Sequence, residues 1–182
     1  MPSHDFDPMT DPAFQGWALR VADELWLELG EPGPTNTVLN WLWTMFTNNG
    51  EMPPHRLAED VQRRRATLTK HRMRSLLDQA RQETGLDIAE SFLVTAPDAH
   101  EPTGQVYVGN TVIRSFRESW IAKETADAVQ DHLMSRYRTV WPVCPRHHLG
   151  VHVIRTSTGP AWECSTGPHR FPIYDNPPQA KD

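Results

Sequence analysis

The sequence predicts an α+β fold, and three observations carry that expectation. Apolar residues recur at helical spacing through the N-terminal half, the pattern moves towards alternation after Gly85, and a strand pair near the C-terminus is bracketed by cysteine and histidine. At 182 residues the chain is long enough for one compact domain or two small ones. Seven tryptophans and a hydrophobic content of 38% are enough to build a core, although sixteen prolines imply many breaks. No run approaches the roughly 18 apolar residues of a membrane span, and the acidic, Pro-containing start MPSHDFDPMTDP is neither a signal peptide nor a transit peptide. The expected compartment is therefore the cytoplasm, with no membrane partner. Two cysteines are too few for a disulfide framework and read as thiols or metal ligands. A net charge of -5 argues against non-specific coating of nucleic acid but leaves room for a locally basic reader.

Residues 1–10, with Asp and Pro and no periodicity, are expected to be disordered. A helix is predicted from Asp11 to Leu29. Asp11 is its cap, Pro12 suits the first helical position, and Phe14, Trp17, Ala18, Val21, Leu25 and Leu29 form its stripe, with Gly30 as the stop. Up to Glu31 the chain holds seven acidic residues and one arginine, a solvated face or a surface that repels DNA or binds a basic partner. After the EPGPT break a second helix is predicted over Asn36 to Thr47. It is apolar nearly all round, which makes it buried or shared with a partner chain.

The stretch from His55 to Gly85 holds eight of the eighteen Lys and Arg. It reads as two helices, Pro54 to Arg64 and Thr69 to Thr84, joined by a turn at Ala66-Thr67-Leu68. Arg63, Arg64 and Arg65 sit at the favourable C-terminal end of the first helix dipole. Thr69 is the expected cap of the second helix, Leu68 and Met73 have the spacing of a hydrophobic staple, and Met73, Leu76, Leu77 and Ala80 follow helical spacing. The basic half of this helix carries Lys70, His71, Arg72, Arg74 and Ser75, where a DNA-reading helix presents side chains to base edges. A strand is predicted at Ser91 to Thr95, and Gln105 to Val108 and Thr111 to Arg114 flank Gly109-Asn110, a two-residue hairpin signal. In this order of elements, residues 35–114 resemble a winged helix-turn-helix domain. The resemblance implies double-stranded DNA as ligand, with Arg63, Arg64 and Arg65 on phosphates and Lys70, His71, Arg72, Arg74 and Ser75 in the major groove. The predicted turn is longer than the usual three or four residues.

A further amphipathic helix is predicted over Ser119 to Tyr137, capped by Ser119, with Ile121, Thr125, Val129, Leu133 and Tyr137 as its stripe. It either packs on its own domain or pairs with its twin in a homodimer. The C-terminal segment has Cys144 and His147 as C-x2-H and Cys164 and His169 as C-x4-H, with sixteen residues between the pairs. Val151 to Thr156 and Pro160 to Glu163 form a hairpin between them. Two thiolates and two imidazoles suit a tetrahedral Zn²⁺, and short spacing lets each turn bite one metal. The arrangement resembles a zinc ribbon, which implies a structural zinc at Cys144, His147, Cys164 and His169. A buried thiol pair with surface imidazoles is the plainer alternative, and His148 and His152 compete with His147. The C-P-x-H knuckle and W-x-C return also resemble the ends of small actinobacterial proteins of unassigned function, a likeness that implies lineage and no activity.

The expected organisation is a disordered 1–10, a helical and winged helix-turn-helix domain over 11–118, a helix with a zinc-ribbon-like module over 119–174, and a tail over 175–182. The expected function is a sequence-specific DNA-binding protein acting in transcription regulation. The alternative is a protein-interaction or adaptor module on the same scaffold. No enzyme is expected. Cys144 with His147 and His148 lacks an orienting Asp or Asn, and the chain has no phosphate-cradling Gly loop, H-E-x-x-H or dinucleotide fingerprint.

Overall fold

A computed structural model describes residues 8–30, 36–157, 159–167 and 169–173. The chain is mixed α and β, as expected, and divides into two compact units, Met1–Arg63 with Ala96–Gly104, and Arg64–Thr95 with Gln105–Asp182. Among the described residues no helix is long and apolar enough to cross a membrane. Residues 1–7 and the expected tail over 175–182 lie outside the description. Pro8–Thr10, expected to be disordered, form a single 3-10 turn.

The first unit is built from α1 (Pro12–Leu25), α2 (Thr37–Asn49) and the opening turns of α3 (Pro54–Thr84). The Asp11 carboxylate accepts the N–H groups of Ala13 and Phe14 and so starts α1, and Asn36 accepts those of Val38 and Leu39 to start α2. Phe14 packs edge-on against Trp43 with ring centres 5.0 Å apart, and Phe46 lies 5.5 Å from both Phe14 and Trp17. The Trp17 indole donates to the Met52 carbonyl at 2.7 Å, so the ring is buried without leaving its N–H unpaired. α1 ends four residues before the predicted Leu29. Trp26 takes a left-handed backbone with φ 54°, and the Leu27 N–H turns back to the Ala22 carbonyl at 2.9 Å. Glycine is the usual residue for such a stop, so a tryptophan in that role leaves no mark in the sequence pattern.

The predicted turn at Ala66-Thr67-Leu68 is not formed: α3 is one helix of 31 residues. Its buried positions Leu57, Val61, Arg65, Thr69, Met73 and Leu77 follow one another at four-residue steps. Two of those positions hold polar residues, which made the apolar stripe look interrupted. Arg65 is accommodated because its Nε donates to the Ser115 carbonyl at 3.1 Å. No glycine or proline lies between His55 and Thr84, so nothing local opposes the helix.

In the second unit β1 (Phe92–Val94), β2 (Val106–Val108) and β3 (Thr111–Ile113) form an antiparallel sheet in that order, with Leu93, Tyr107 and Val112 in one cross-strand row. The predicted hairpin at Gly109-Asn110 is present. α4 (Glu118–Tyr137) follows, and then β4 (Val151–Thr156), β5 (Gly159–Cys164) and β6 (Arg170–Pro172) make a second antiparallel sheet, β6 not having been predicted. The predicted cap Ser119 makes no such bond: Arg117 precedes α4 without a side-chain cap. Glu124 in the second turn instead accepts the N–H groups of Arg114 at 2.9 Å and Ser115 at 3.1 Å, tying the end of β3 to α4.

Met73, Leu76 and Leu77 of α3, Val106, Val108 and Ile113 of the first sheet, Ile121, Val129 and Leu133 of α4, and Val151, Val153 and Trp162 of the second sheet belong to one core. All of these residues belong to the second compact unit, which begins at Arg64 within α3.

The continuity of α3 can be tested at Thr67, which is exposed, so that its replacement removes no packing. Thr67→Pro should lower unfolding free energy by about 3 kcal/mol, the usual loss for a helix-interior proline, read from denaturant midpoints. A cost well under about 1 kcal/mol would indicate a turn at this point.

Candidate metal centre

Cys144 and His147 lie on a tight turn between α4 and β4. The Cys144 N–H donates to the Leu149 carbonyl at 2.7 Å, the His148 N–H to the Cys144 carbonyl at 2.8 Å, and His148 itself has φ 54°. Cys164 closes β5 opposite Val151, and its N–H donates to the His169 carbonyl at 3.0 Å across the turn into β6. Two contacts hold this assembly to the helices. The Gln130 amide of α4 donates to the carbonyls of Trp141 at 3.2 Å and Val151 at 2.7 Å, and the Trp141 indole donates to Glu83 of α3 at 2.8 Å.

The four predicted ligands come together. One donor atom from each of Cys144, His147, Cys164 and His169 lies within 4.8 Å of the others, and the group could hold a metal ion. His147 Nδ1 is 3.3 Å from Cys164 Sγ and 3.9 Å from Cys144 Sγ, and His169 Nδ1 is 3.9 Å from Cys144 Sγ. Bonds of about 2.3 Å to sulfur and about 2.0 Å to nitrogen at a tetrahedral angle place such atoms about 3.6 Å apart, so the spacing fits a single ion. Both imidazoles face the cluster through Nδ1. Both thiols are buried, while His147 is exposed and His169 half-buried. Of the competing histidines, His152 faces Glu163 at 3.4 Å on the adjacent strand, and neither it nor His148 belongs to the cluster.

Two neighbours absent from the predicted set tune the donors. Thr166 Oγ1 lies 3.3 Å from Cys164 Sγ and 2.9 Å from His147 Nδ1. The Thr166 hydroxyl, followed by the His147 imidazole, brings the Cys164 thiol down to about 6, so the thiolate that a metal needs is present at neutral pH. Burial lowers the His169 imidazole below its ordinary value, and Arg146, with Nη1 3.4 Å from His169 Nε2, adds to this; a neutral ring is the ligating form. Gly167 lies over both rings, where an added Cβ would stand 3.7 Å from His147 Cε1 and 4.0 Å from His169 Cε1. The only sequence sign of Thr166 was its place two residues after Cys164.

The eight residues expected to contact DNA all lie on α3, and most of them face partners within the chain. Arg63 pairs with Asp60 at 3.0 Å, Arg64 stands over the Phe116 ring at 5.2 Å, Arg65 is buried on Ser115, and Lys70 is 5.6 Å from the centre of the Phe92 ring. Arg72 meets Glu118 at 3.1 Å and Arg74 meets Glu90 at 2.9 Å. His71 is exposed and Ser75 half-buried. Glu90 and Glu118 lie 16 and 46 residues from their arginines, too far along the chain for charge patterning on the helix to disclose them.

No protein-family model, curated protein or solved structure matches the chain.

Native mass spectrometry should find one divalent metal per chain, lost in Cys164→Ser. Once metal is removed by chelation, alkylation of Cys164 should rise with pH through a midpoint near the value of about 6 set by Thr166 and His147, and Thr166→Val should move that midpoint upward. A chain that folds and takes up no metal would refute the centre.

Proposed function

We propose that this chain is a protein-interaction or adaptor module whose C-terminal sheet is held by one structural Zn²⁺. The carrying observation is the two-sulfur, two-nitrogen cluster, whose donor atoms all lie within 4.8 Å of one another. Thiolate and imidazole together suit zinc among the common divalent ions, and four protein ligands leave no open position for a water or a substrate. The zinc would bind Cys144, His147, Cys164 and His169, with Thr166 outside it on the Cys164 sulfur. The reading has a second support in the small size of the module: three short strands gain little from burial alone, and a metal contributes folding free energy directly.

Sequence-specific reading of double-stranded DNA is the competing proposal. It would employ α3 as an unbroken helix, without the turn that sets a separate recognition helix against its neighbour. It would also draw Arg72 and Arg74 away from Glu118 and Glu90. Exposed ion pairs contribute only about 0–1 kcal/mol each, so the cost is small, but the cations are already positioned for a role within the fold. The present partners of these arginines favour the interaction reading.

A selection from random duplex at low salt, using the metal-loaded full chain, separates the two. The interaction reading expects no enriched site. An enriched site whose affinity falls by about tenfold or more in Arg72→Ala or Arg74→Ala, with random duplex much less affected, would overturn it in favour of transcription regulation. Elemental analysis of the same preparation should find zinc.

A further inference from the structure

The stretch from His132 to Trp162 contains no acidic residue and carries Arg136, Arg138, Arg146 and Arg155. Among the described residues Arg136 and Arg138 enter no ion pair, and both are exposed. Within this stretch the metal-binding turn presents Val140, Val143 and Leu149 to solvent, with Val140 52% exposed, while Cys144 between them is buried. The three are contiguous. Val143 bridges to Gly150, Leu149 accepts the Cys144 N–H, and Val140 Cγ1 lies so close to Gly150 that a Cβ there would stand 2.7 Å away. An exposed aliphatic cluster preceded closely in the chain by the exposed Arg136 and Arg138 calls for an acidic partner with an apolar anchor.

Such a surface exists on the same chain. Leu19, Asp23 and Trp26 are exposed at four- and three-residue steps, hence on one face of α1 and its cap, flanked by the exposed Glu24 and Glu28. Trp26 is 58% exposed and holds a left-handed backbone, a position where glycine would relieve steric strain and where the ring adds little to its own unit. Tryptophan is also the residue most often found to anchor an interface.

We propose that two copies of this chain dock through these surfaces, the Leu19–Trp26 face of one on the Val140, Val143 and Leu149 surface of the other, with Asp23, Glu24 and Glu28 meeting Arg136, Arg138 and Arg146. This inference rests on the interaction reading and names its partner.

The metal-loaded full chain should have about twice its 20.8 kDa mass by light scattering, with a dissociation constant that weakens as salt is raised. Trp26→Asp and Arg138→Glu, both at exposed positions, should each weaken the dimer by about tenfold or more with circular dichroism unchanged. Glu24→Arg combined with Arg138→Glu should regain part of that loss, which a merely structural role would not produce. A metal-loaded chain of single mass at every concentration, or a dimer indifferent to Trp26→Asp, would overturn the proposal. Retention of another protein by that single chain would still leave the interaction reading standing. Retention of random duplex by a single-mass chain, lost in Arg138→Glu, would assign the surface to nucleic acid and overturn the proposal.

Discussion

Cys144 and Cys164 are members of the hydrophobic core and donors to one polar cluster at the same time, and this double membership constrains the second unit most. A thiolate in such a place is costly unless something cationic or hydrogen-bonding faces it. Thr166 and His147 meet part of that need at Cys164, and the two imidazoles complete a donor set on the solvent side of the sulfurs. A divalent ion among the four would cancel both sulfur charges and join two turns seventeen residues apart. The same turns are tied to α4 through Gln130 and to α3 through Trp141 and Glu83. The geometry of the centre is thus set by packing against the helices as much as by the sheet.

The arginines of α3 have partners that composition alone does not disclose, because those partners are distant along the chain. A helix dense in positive charge suggests a polyanion, and the free residues of such a helix are the evidence for one. Here Arg65 is buried on a backbone carbonyl of the β3–α4 connection, Arg72 reaches the first turn of α4, and Arg74 and Arg81 hold the segment after α3 through Glu90 and the Ile88 carbonyl. These side chains fasten neighbouring elements to α3. Arginine suits that work because its planar donors satisfy carbonyls and carboxylates in fixed directions and its stem packs against apolar surface.

Local patterns disclosed the mixed α and β class, several of its elements and the four residues of the candidate metal cluster. The cap Asp11, the Gly109-Asn110 hairpin, the stripe from Ile121 to Tyr137 and the β4–β5 pair follow from spacing and side-chain chemistry within a few residues, and all are present. The four candidate ligands were legible because each cysteine has a histidine close behind it in the chain. What stayed hidden depends on tertiary context. Arg65 and Thr69 occupy buried positions of α3, so the periodicity broke where the helix does not, and Ala66-Thr67-Leu68 was read as a turn although all three tolerate a helix. Trp26 stops α1 in a conformation that sequence rules reserve for glycine. Thr166 and Arg146 act on the ligands through space, and only the folded turns bring them there.

The net charge of -5 hides a separation of charge along the chain. Seven acids and one arginine precede Thr35, while the span from His132 to Trp162 holds four arginines and no acid. A zinc ion bound by two thiolates and two neutral imidazoles would add no net charge to these turns, so the neighbouring arginines would set the local potential. The acidic segment carries an exposed tryptophan, and the basic span carries exposed aliphatic residues. Opposite charge around matched apolar surface steers encounter and fixes register, and the apolar contact then supplies affinity. A surface of one sign alone would serve solubility, whereas charge separated in this way also favours association between chains. Salt therefore acts on such an association through the charged rim, while the buried apolar contact is much less sensitive to it.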